Sequence, residues 1–138
     1  MQAVCERKRK MKLQIIAGEW SVCKVPFDSC AVAQQPFTFV ARTDEELSVV
    51  CPTEFAPASA IAREDGWKTF RIEGQLDFGL IGILARIASV LAENGIPIFA
   101  VSTYHTDYVL VKKEKFDTAL QALCEAGYEC QIISKEER

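Results

Sequence analysis

Six consecutive polar or aromatic residues lie between two apolar segments and carry the side chains best suited to chemistry. Residues 102–107 read STYHTD and include the single histidine of the chain. Both flanking segments have the aliphatic pattern of strands, so the polar run is expected at a hairpin tip. Asp and Thr are common in turns because their side chains bond their own backbone. Asp107 also offers a counter-charge to an ammonium group, so a plain turn and a ligand site are both open.

A second candidate segment precedes the clearest helical pattern. Residues 75–82 read QLDFGLIG, and Asp77 can cap the helix that follows. The aliphatic residues of that helix recur at helical spacing: Leu80, Ile83, Leu84, Ile87 and Leu91. The first amides of a helix lack intrahelical partners, and the helix dipole favours an anion there. A carboxylate is therefore expected on the amides near Gly82, Ile83 and Leu84.

The order of the predicted elements indicates the fold that positions these two segments. After residue 66 the patterns read β-α-β-β-α-β, the ferredoxin-like motif, in which two helices cover one face of an antiparallel sheet. Residues 11–65 offer the strands of a similar unit with its helices cut down, which predicts a degenerate duplication. We therefore predict an α+β protein of two tandem modules, 11–65 and 66–138, after a disordered extension at residues 1–10.

The crossover of this motif determines where the two polar segments lie. A right-handed β-α-β connection brings the end of the first strand, the start of the first helix and the hairpin tip to one end of the sheet. The helix amides suit a carboxylate, and Asp107 suits an ammonium group. Together these two features describe an α-amino acid.

Charge and composition exclude several classes of function. The chain has 16 Lys and Arg against 19 Asp and Glu, a formal net charge of −3. This balance provides no basic surface for nucleic acid or an anionic membrane. No apolar run approaches the roughly 20 residues that span a bilayer. The six cysteines contain no C-x-x-C pair, so we expect reduced, buried thiols, no metal, no cofactor and a cytoplasmic location.

Residues 69–134 resemble an ACT domain, a small regulatory βαββαβ unit that binds amino acids at domain interfaces. Within them, GILARIASVLAENGIPIFAVSTYHTDYVLV is similar to the last ACT domain of the CASTOR family of arginine sensors and their bacterial relatives. In the same way, ARTDEELSVVCP resembles the strand-turn-strand that precedes that domain. The resemblance is strongest over residues 37–52 and 66–113.

The resemblance implies a ligand site at the helix start and the hairpin tip. The residues it assigns there are Ile81, Gly82, Ile83, Leu84, Thr103, Tyr104 and Asp107. The arginine sensors carry an acidic residue just before the glycine, where this sequence has Leu80 and Ile81. A guanidinium would lose a carboxylate partner there, and an unpaired buried cation is costly. A smaller or more apolar amino acid is therefore expected.

The residues and the resemblance together predict a non-enzymatic amino-acid sensor, with its ligand between modules or subunits. A homodimer is expected because sheet edges need cover, and a shift in assembly could select a regulated protein partner. Two alternatives stay open. One is an interaction scaffold whose pocket is lost and filled by Phe78 or Tyr104. The other is an enzyme that uses Asp107 and His105 as an acid-base pair.

Overall fold

The computed structural model of the protein describes residues 11–29, 34–73 and 82–133. The predicted extension at residues 1–10, the proposed cap Asp77 and the predicted ligand residue Ile81 lie outside these ranges. The described residues form seven strands, two α-helices and one short 3-10 helix. In chain order these are β1 (Lys12–Val25), β2 (Phe39–Arg42), β3 (Leu47–Pro52), the 3-10 helix (Thr53–Phe55), β4 (Ala62–Ile72), α1 (Ile83–Glu93), β5 (Phe99–Ser102), β6 (Asp107–Lys112), α2 (Lys113–Glu125) and β7 (Glu129–Ile133).

The chain packs as two compact units. The helical unit consists of Met1–Ala17 and Thr69–Arg138, and the insert unit consists of Gly18–Lys68. Strands β1 and β4 therefore each contribute residues to both units. The module boundary proposed at residues 65 and 66 falls inside β4, because that strand begins at Ala62 and continues to Ile72.

The sheet of the helical unit has the strand order β7-β1-β4-β6-β5. Strands β5 and β6 form an antiparallel hairpin in which Ser102 is opposite Asp107. Residues Lys12–Ile16 of β1 pair with β7 in parallel. Strand β1 thus lies between β4 and β7. Because β1 and β7 are parallel, this pair differs from the antiparallel pairing that was predicted for the sheet.

Helices α1 and α2 cover one face of this sheet, as the ferredoxin-like prediction requires. Alternate residues of β1, β4 and β6 point to that face and join apolar residues of both helices in one core. The fully buried members include Leu13, Phe70, Ile72, Ile87, Leu91, Val109, Val111, Ala119 and Leu123. Burial of each large aliphatic side chain contributes about 1.5 to 3 kcal/mol, so this core is the main source of the unit's stability.

The insert unit builds a smaller core without α-helices in its described residues. Its strand order is β2-β3-β1-β4, and its core consists of Cys23, Val25, Leu47, Val49 and Cys51. Ala56 and Ala60, from the connection between β3 and β4, pack against this core. Short side chains of this connection thus cover part of the small core. This agrees with the prediction of a module whose helices are cut down.

Two local predictions need correction. The segments KLQIIAG and EWSVCKV, predicted as two strands, form the single strand β1. Gly18 lies at their junction with φ 98°, a conformation that other residues rarely adopt, and the strand continues through it. The expected buried, reduced cysteines are confirmed for Cys23 and Cys51, but Cys124 is exposed on α2. Cys5 and Cys30 lie outside the described residues.

Candidate functional site

The hairpin tip between β5 and β6 is held by Thr103, which bonds the backbone of Thr106 across the turn. The Thr103 N–H donates to the Thr106 carbonyl oxygen at 2.8 Å. The Thr103 hydroxyl donates to the same oxygen at 3.0 Å and accepts from the Thr106 N–H at 3.3 Å. The Thr106 hydroxyl, which is buried, donates to the Ile72 carbonyl oxygen of β4 at 2.8 Å. The polar tip is therefore fixed both internally and to the neighbouring strand.

The other four residues of the polar run have different environments. The Asp107 carboxylate is half-buried and accepts a hydrogen bond from the Ser102 hydroxyl, its cross-strand neighbour, at 2.5 Å. Tyr104 is 70 % exposed, and the His105 ring packs edge-on against it with 5.4 Å between centroids. Hydrogen bonding thus fixes the carboxylate in place, while the two rings extend toward solvent.

The start of α1 is the second predicted part of the site. Gly82 precedes the helix with φ 80° and ψ 12°, a left-handed conformation that suits glycine. A methyl group built on it would meet no described atom within 4 Å. Ile83 and Leu84, the first two helical residues, are half-buried and pack against the core of the helical unit. Among the described residues, the space where a Gly82 side chain would lie is therefore empty, while the next two side chains pack against the core.

A cavity of about 370 Å³ lies beside the hairpin tip, inside the helical unit. Its described lining comes from β1, β4, β6 and the tip: Gln14, Arg71, Ile72, Thr103, His105, Thr106 and Tyr108. This volume is in the range of small-molecule sites. The lining contains hydroxyl, amide, imidazole and guanidinium groups, so the cavity is suited to a polar ligand.

Arg71 provides the cationic group of the cavity. Its Nε–H donates to the Gln14 side-chain oxygen at 2.8 Å, and its Nη1 donates to the Tyr108 hydroxyl at 3.0 Å. The Arg71 guanidinium carbon lies 5.8 Å from the centre of the Tyr108 ring. Phe70 and Ile72 on either side of Arg71 belong to the core beneath the helices, so strand alternation directs Arg71 to the opposite face.

The structure therefore brings only part of the predicted residue set to the cavity. Thr103 lines it, whereas Gly82, Ile83, Leu84, Tyr104 and Asp107 are not among its described lining residues. The sequence reasoning did not select Gln14, Arg71 or Tyr108. In the sequence, each of these three residues is only a polar or amphipathic residue at an outward position of a strand. Such residues are usual on a solvated sheet face, so they do not indicate a site. Assembly of three strands turns that pattern into a cavity.

None of the described helices is both long enough and apolar enough to cross a membrane.

A family model described as the ACT domain matches residues 62–125. The match begins with β4 and ends with α2, so it contains every residue of the predicted ligand site. It contains most of the cavity lining as well. Gln14 lies outside it, on the strand that joins the sheet from the beginning of the chain.

Solved structures agree with this match over nearly the whole chain. A protein from Agobacterium tumefaciens is 29% identical with a TM-score of 0.80, and the alignment covers 91% of this chain and 96% of that one. A protein of unknown function from Vibrio cholerae, described as a possible transport protein, is 25% identical with a TM-score of 0.67, covering 90% and 95%. The regulatory subunit of aspartate kinase from Thermus thermophilus shares the fold alone, at 13% identity, a TM-score of 0.57 and coverage of 86% and 97%.

Proposed function

We propose that this chain, whose residues 62–125 match the ACT-domain family model, is a non-catalytic regulatory protein that binds a free amino acid. The observation that carries the proposal is the position of the match. Residues 62–125 include both the helix start and the hairpin tip, the two segments whose chemistry suits the two charged groups of an amino acid. The likeness in fold to an aspartate kinase regulatory subunit supports a regulatory role.

The proposed ligand site combines two segments. The ligand carboxylate binds backbone amides at Ile81, Gly82, Ile83 and Leu84, of which Ile81 lies outside the described residues. Three features of the described segment support this position: the left-handed Gly82, the open space beside it, and the helix that follows.

The hairpin tip provides the other half of the proposed site, through Thr103, Tyr104 and Asp107. The ammonium group faces the Asp107 carboxylate, which the Ser102 hydroxyl orients. Tyr104 is 70 % exposed, so its ring extends toward solvent. That supports an open site over the alternative scaffold in which Tyr104 fills a vestigial pocket. Phe78, the other residue of that alternative, lies outside the described residues.

The remaining parts of the proposal concern the ligand and its output. A small or apolar amino acid is preferred, because Leu80 and Ile81 provide no carboxylate for a guanidinium. We also propose that the protein is a cytoplasmic homodimer, similar to the CASTOR-type sensors. Its ligand would regulate a protein partner. For such a switch, the ligand must bind one assembly state better than the other.

Thermal unfolding against a panel of the common amino acids tests the proposal. A ligand that binds only the folded state stabilises it by mass action, by about 2.7 kcal/mol at a hundred times its Kd. At least one amino acid should raise the unfolding midpoint of the parent protein and not that of Asp107→Asn. Asp117→Asn, an exposed substitution of the same type on α2, should respond like the parent.

The result that would overturn the proposal is equally definite. If no amino acid shifts the midpoint at millimolar concentration, or if Asp107→Asn responds as the parent does, the proposed site is wrong. Sedimentation of the parent with and without the stabilising amino acid then tests the output, which should be a change in assembly.

A further inference from the structure

Two cysteines of the helical unit lie in contact with each other. Cys124 belongs to the last turn of α2, and Cys130 is the second residue of β7. The Cys124 thiol donates a hydrogen bond to the Cys130 sulfur, with 3.9 Å between the two sulfur atoms. Cys124 is exposed, whereas Cys130 is half-buried and packs against the core of the helical unit. The proposed amino-acid site uses neither thiol.

The backbone between the two cysteines is fixed by hydrogen bonds. The helix ends in a Schellman motif, in which the Gly127 N–H donates to the Cys124 carbonyl oxygen at 3.1 Å. The Tyr128 N–H donates to the Leu123 carbonyl oxygen at 3.0 Å, and Gly127 has the left-handed φ of 107° that this motif requires. Cys130 is held in turn by the parallel pairing of β7 with β1. The fold itself therefore brings the two thiols together.

The surroundings of the two thiols suit different roles in an exchange reaction. The group that attacks a disulfide is an accessible thiolate. Burial raises the pKa of Cys130 from the ordinary value of 9.0 to about 12, and the hydrogen bond and charge of Cys124 add to this effect. Cys124 is therefore the thiol that meets an incoming oxidant. Once its sulfur is in a disulfide, it no longer opposes ionisation of Cys130, which can complete the reaction.

We propose that Cys124 and Cys130 form a reversible disulfide by exchange with a small disulfide such as oxidised glutathione. First, the Cys124 thiolate attacks one sulfur of oxidised glutathione, forms a mixed disulfide and releases one glutathione thiolate. The Cys130 thiol then loses its proton and attacks the Cys124 sulfur, and the second glutathione leaves as a thiolate. Two protein thiols are oxidised, one glutathione disulfide is reduced, and the two protons pass to the glutathione thiolates.

The disulfide links a helix to a strand within the helical unit. It joins the last turn of α2 to β7, the strand that pairs with the beginning of β1. The pair thus forms a redox-sensitive site that is independent of the proposed function, because its argument uses only the two thiols and the backbone that holds them.

Equilibration of the full-length protein in glutathione buffers tests this proposal. After acid quenching, denaturation and alkylation with N-ethylmaleimide, trypsin releases both cysteines in one peptide, residues 116–135. The internal disulfide is measured by mass, as a peptide that has lost two hydrogens and carries neither label nor glutathione. Its equilibrium constant should be at least about tenfold larger in the native protein than in the urea-denatured chain, because preorganised groups have a higher effective concentration than groups on a flexible chain.

Serine variants separate the roles of the two thiols. Cys130→Ser should stop after the first step and accumulate a mixed disulfide of Cys124 with glutathione. Cys124→Ser should leave Cys130 as a thiol under the same conditions, and it should fold like the parent because Cys124 is exposed. Cys23 and Cys51, which are buried in the insert unit, are the internal control and should remain thiols in the native protein.

Several results would overturn the proposal. One is a peptide that stays fully alkylated in oxidised glutathione, and another is a parent protein that accumulates the mixed disulfide instead of the internal one. Equal equilibrium constants in the native and denatured chains, or a bond from either cysteine to Cys5 or Cys30, would also overturn it. No amino acid takes part in these measurements, so this proposal and the proposed function fail separately.

Discussion

The β2–β3 hairpin of the insert unit and the β5–β6 hairpin of the helical unit share one turn. In both, a threonine N–H donates to the carbonyl oxygen three residues on: Thr43 to Glu46 at 2.9 Å, and Thr103 to Thr106 at 2.8 Å. In both, the threonine hydroxyl accepts from the N–H of that later residue, at 3.1 and 3.3 Å. The two turns are the clearest structural sign of a duplicated module.

The two hairpins differ in the residue that follows the turn. Leu47 begins β3 and is buried in the core of the insert unit, whereas Asp107 begins β6 and bonds Ser102. The first hairpin also carries Glu46 at the position where the second has the buried Thr106. The same backbone therefore serves packing in one unit and presents polar groups in the other. This difference agrees with the proposal that the ligand site lies at the second hairpin, in the helical unit.

The largest expected effect comes from the different cover of the strands in the two units, by α-helices in one and by a short-side-chain connection in the other. Phe116 of α2 is 3 % exposed in the core of the helical unit, with its ring centre 6.5 Å from that of Phe70. Phe116→Ala should lower the free energy of unfolding by about 3 to 5 kcal/mol, measured by urea denaturation. Phe55, on the 3-10 helix, is 41 % exposed, so Phe55→Ala should cost less than about 1 kcal/mol. If the two substitutions lowered the free energy of unfolding equally, the view that only the helical unit is stabilised by a buried α-helix would be contradicted.

Exchange of the residues that follow the two turns should have unequal effects. Leu47→Asp places a carboxylate in the core of the insert unit and should destabilise the protein by about 3 kcal/mol or more. Asp107→Leu copies the first hairpin and should change stability by less than about 1 kcal/mol, while it removes the amino-acid response. Chemical denaturation of both variants checks this. A large loss of stability in Asp107→Leu would show that Asp107 is structural.

A smaller effect should appear at alkaline pH, through the buried thiols of the insert unit. Burial raises the pKa of Cys51 from the ordinary value of 9.0 to about 11. The unfolded chain therefore loses this proton first, so the contribution to stability is full below pH 9 and is lost as pH rises toward 11. Between pH 8 and 10.5 the parent should lose about 1 to 2 kcal/mol more than Cys51→Ala does, under reducing conditions.

The matched control for that experiment is Val49→Ala, because it shortens a neutral side chain of the same core. It should follow the parent across the same pH range. If Cys51→Ala and the parent lose equal stability, the thiol of Cys51 is not protected by burial.

The smallest difference is expected between the two turn threonines. Thr103→Ala removes a half-buried hydroxyl from a tip that is tied to β4, and should cost about 1 kcal/mol. Thr43→Ala removes the same bonds from an exposed turn, where water replaces them, and should cost about half as much or less. Unfolding midpoints of the two variants in urea give the comparison. A larger cost for Thr43→Ala would mean that the insert unit depends on its turn.

Local pattern predicted the elements of the helical unit well. The alternation of Phe70 with Arg71, the helical spacing from Ile83 to Leu91, and the polar tip before Asp107 all correspond to observed structure. These signals are local, because hydrophobic periodicity records which face of an element is buried. The same reasoning also predicted both strands of the β2–β3 hairpin, because an acidic turn separates two apolar runs there.

The features that depend on distant pairing could not be predicted in this way. Alternation in β1 shows that it is a strand, but not that it lies between β4 and β7. The cavity has the same origin, because Gln14, Arg71 and Tyr108 come from three strands and each alone looks like an ordinary surface residue. Cys124 illustrates a third limit. An apolar run along a helix includes outward positions, and this cysteine occupies one of them.

The parallel pairing of β1 with β7 has a consequence for how the protein is made. Lys12 is opposite Glu129, so nearly the whole chain must be synthesised before this pair can form. Contacts between such distant residues slow folding, because the loop that they close must be ordered first. Until β7 has been synthesised, the edge of β1 that pairs with it stays unpaired. Unpaired strand edges promote aggregation. Strand β7 thus protects the edge of a strand that is synthesised well before it.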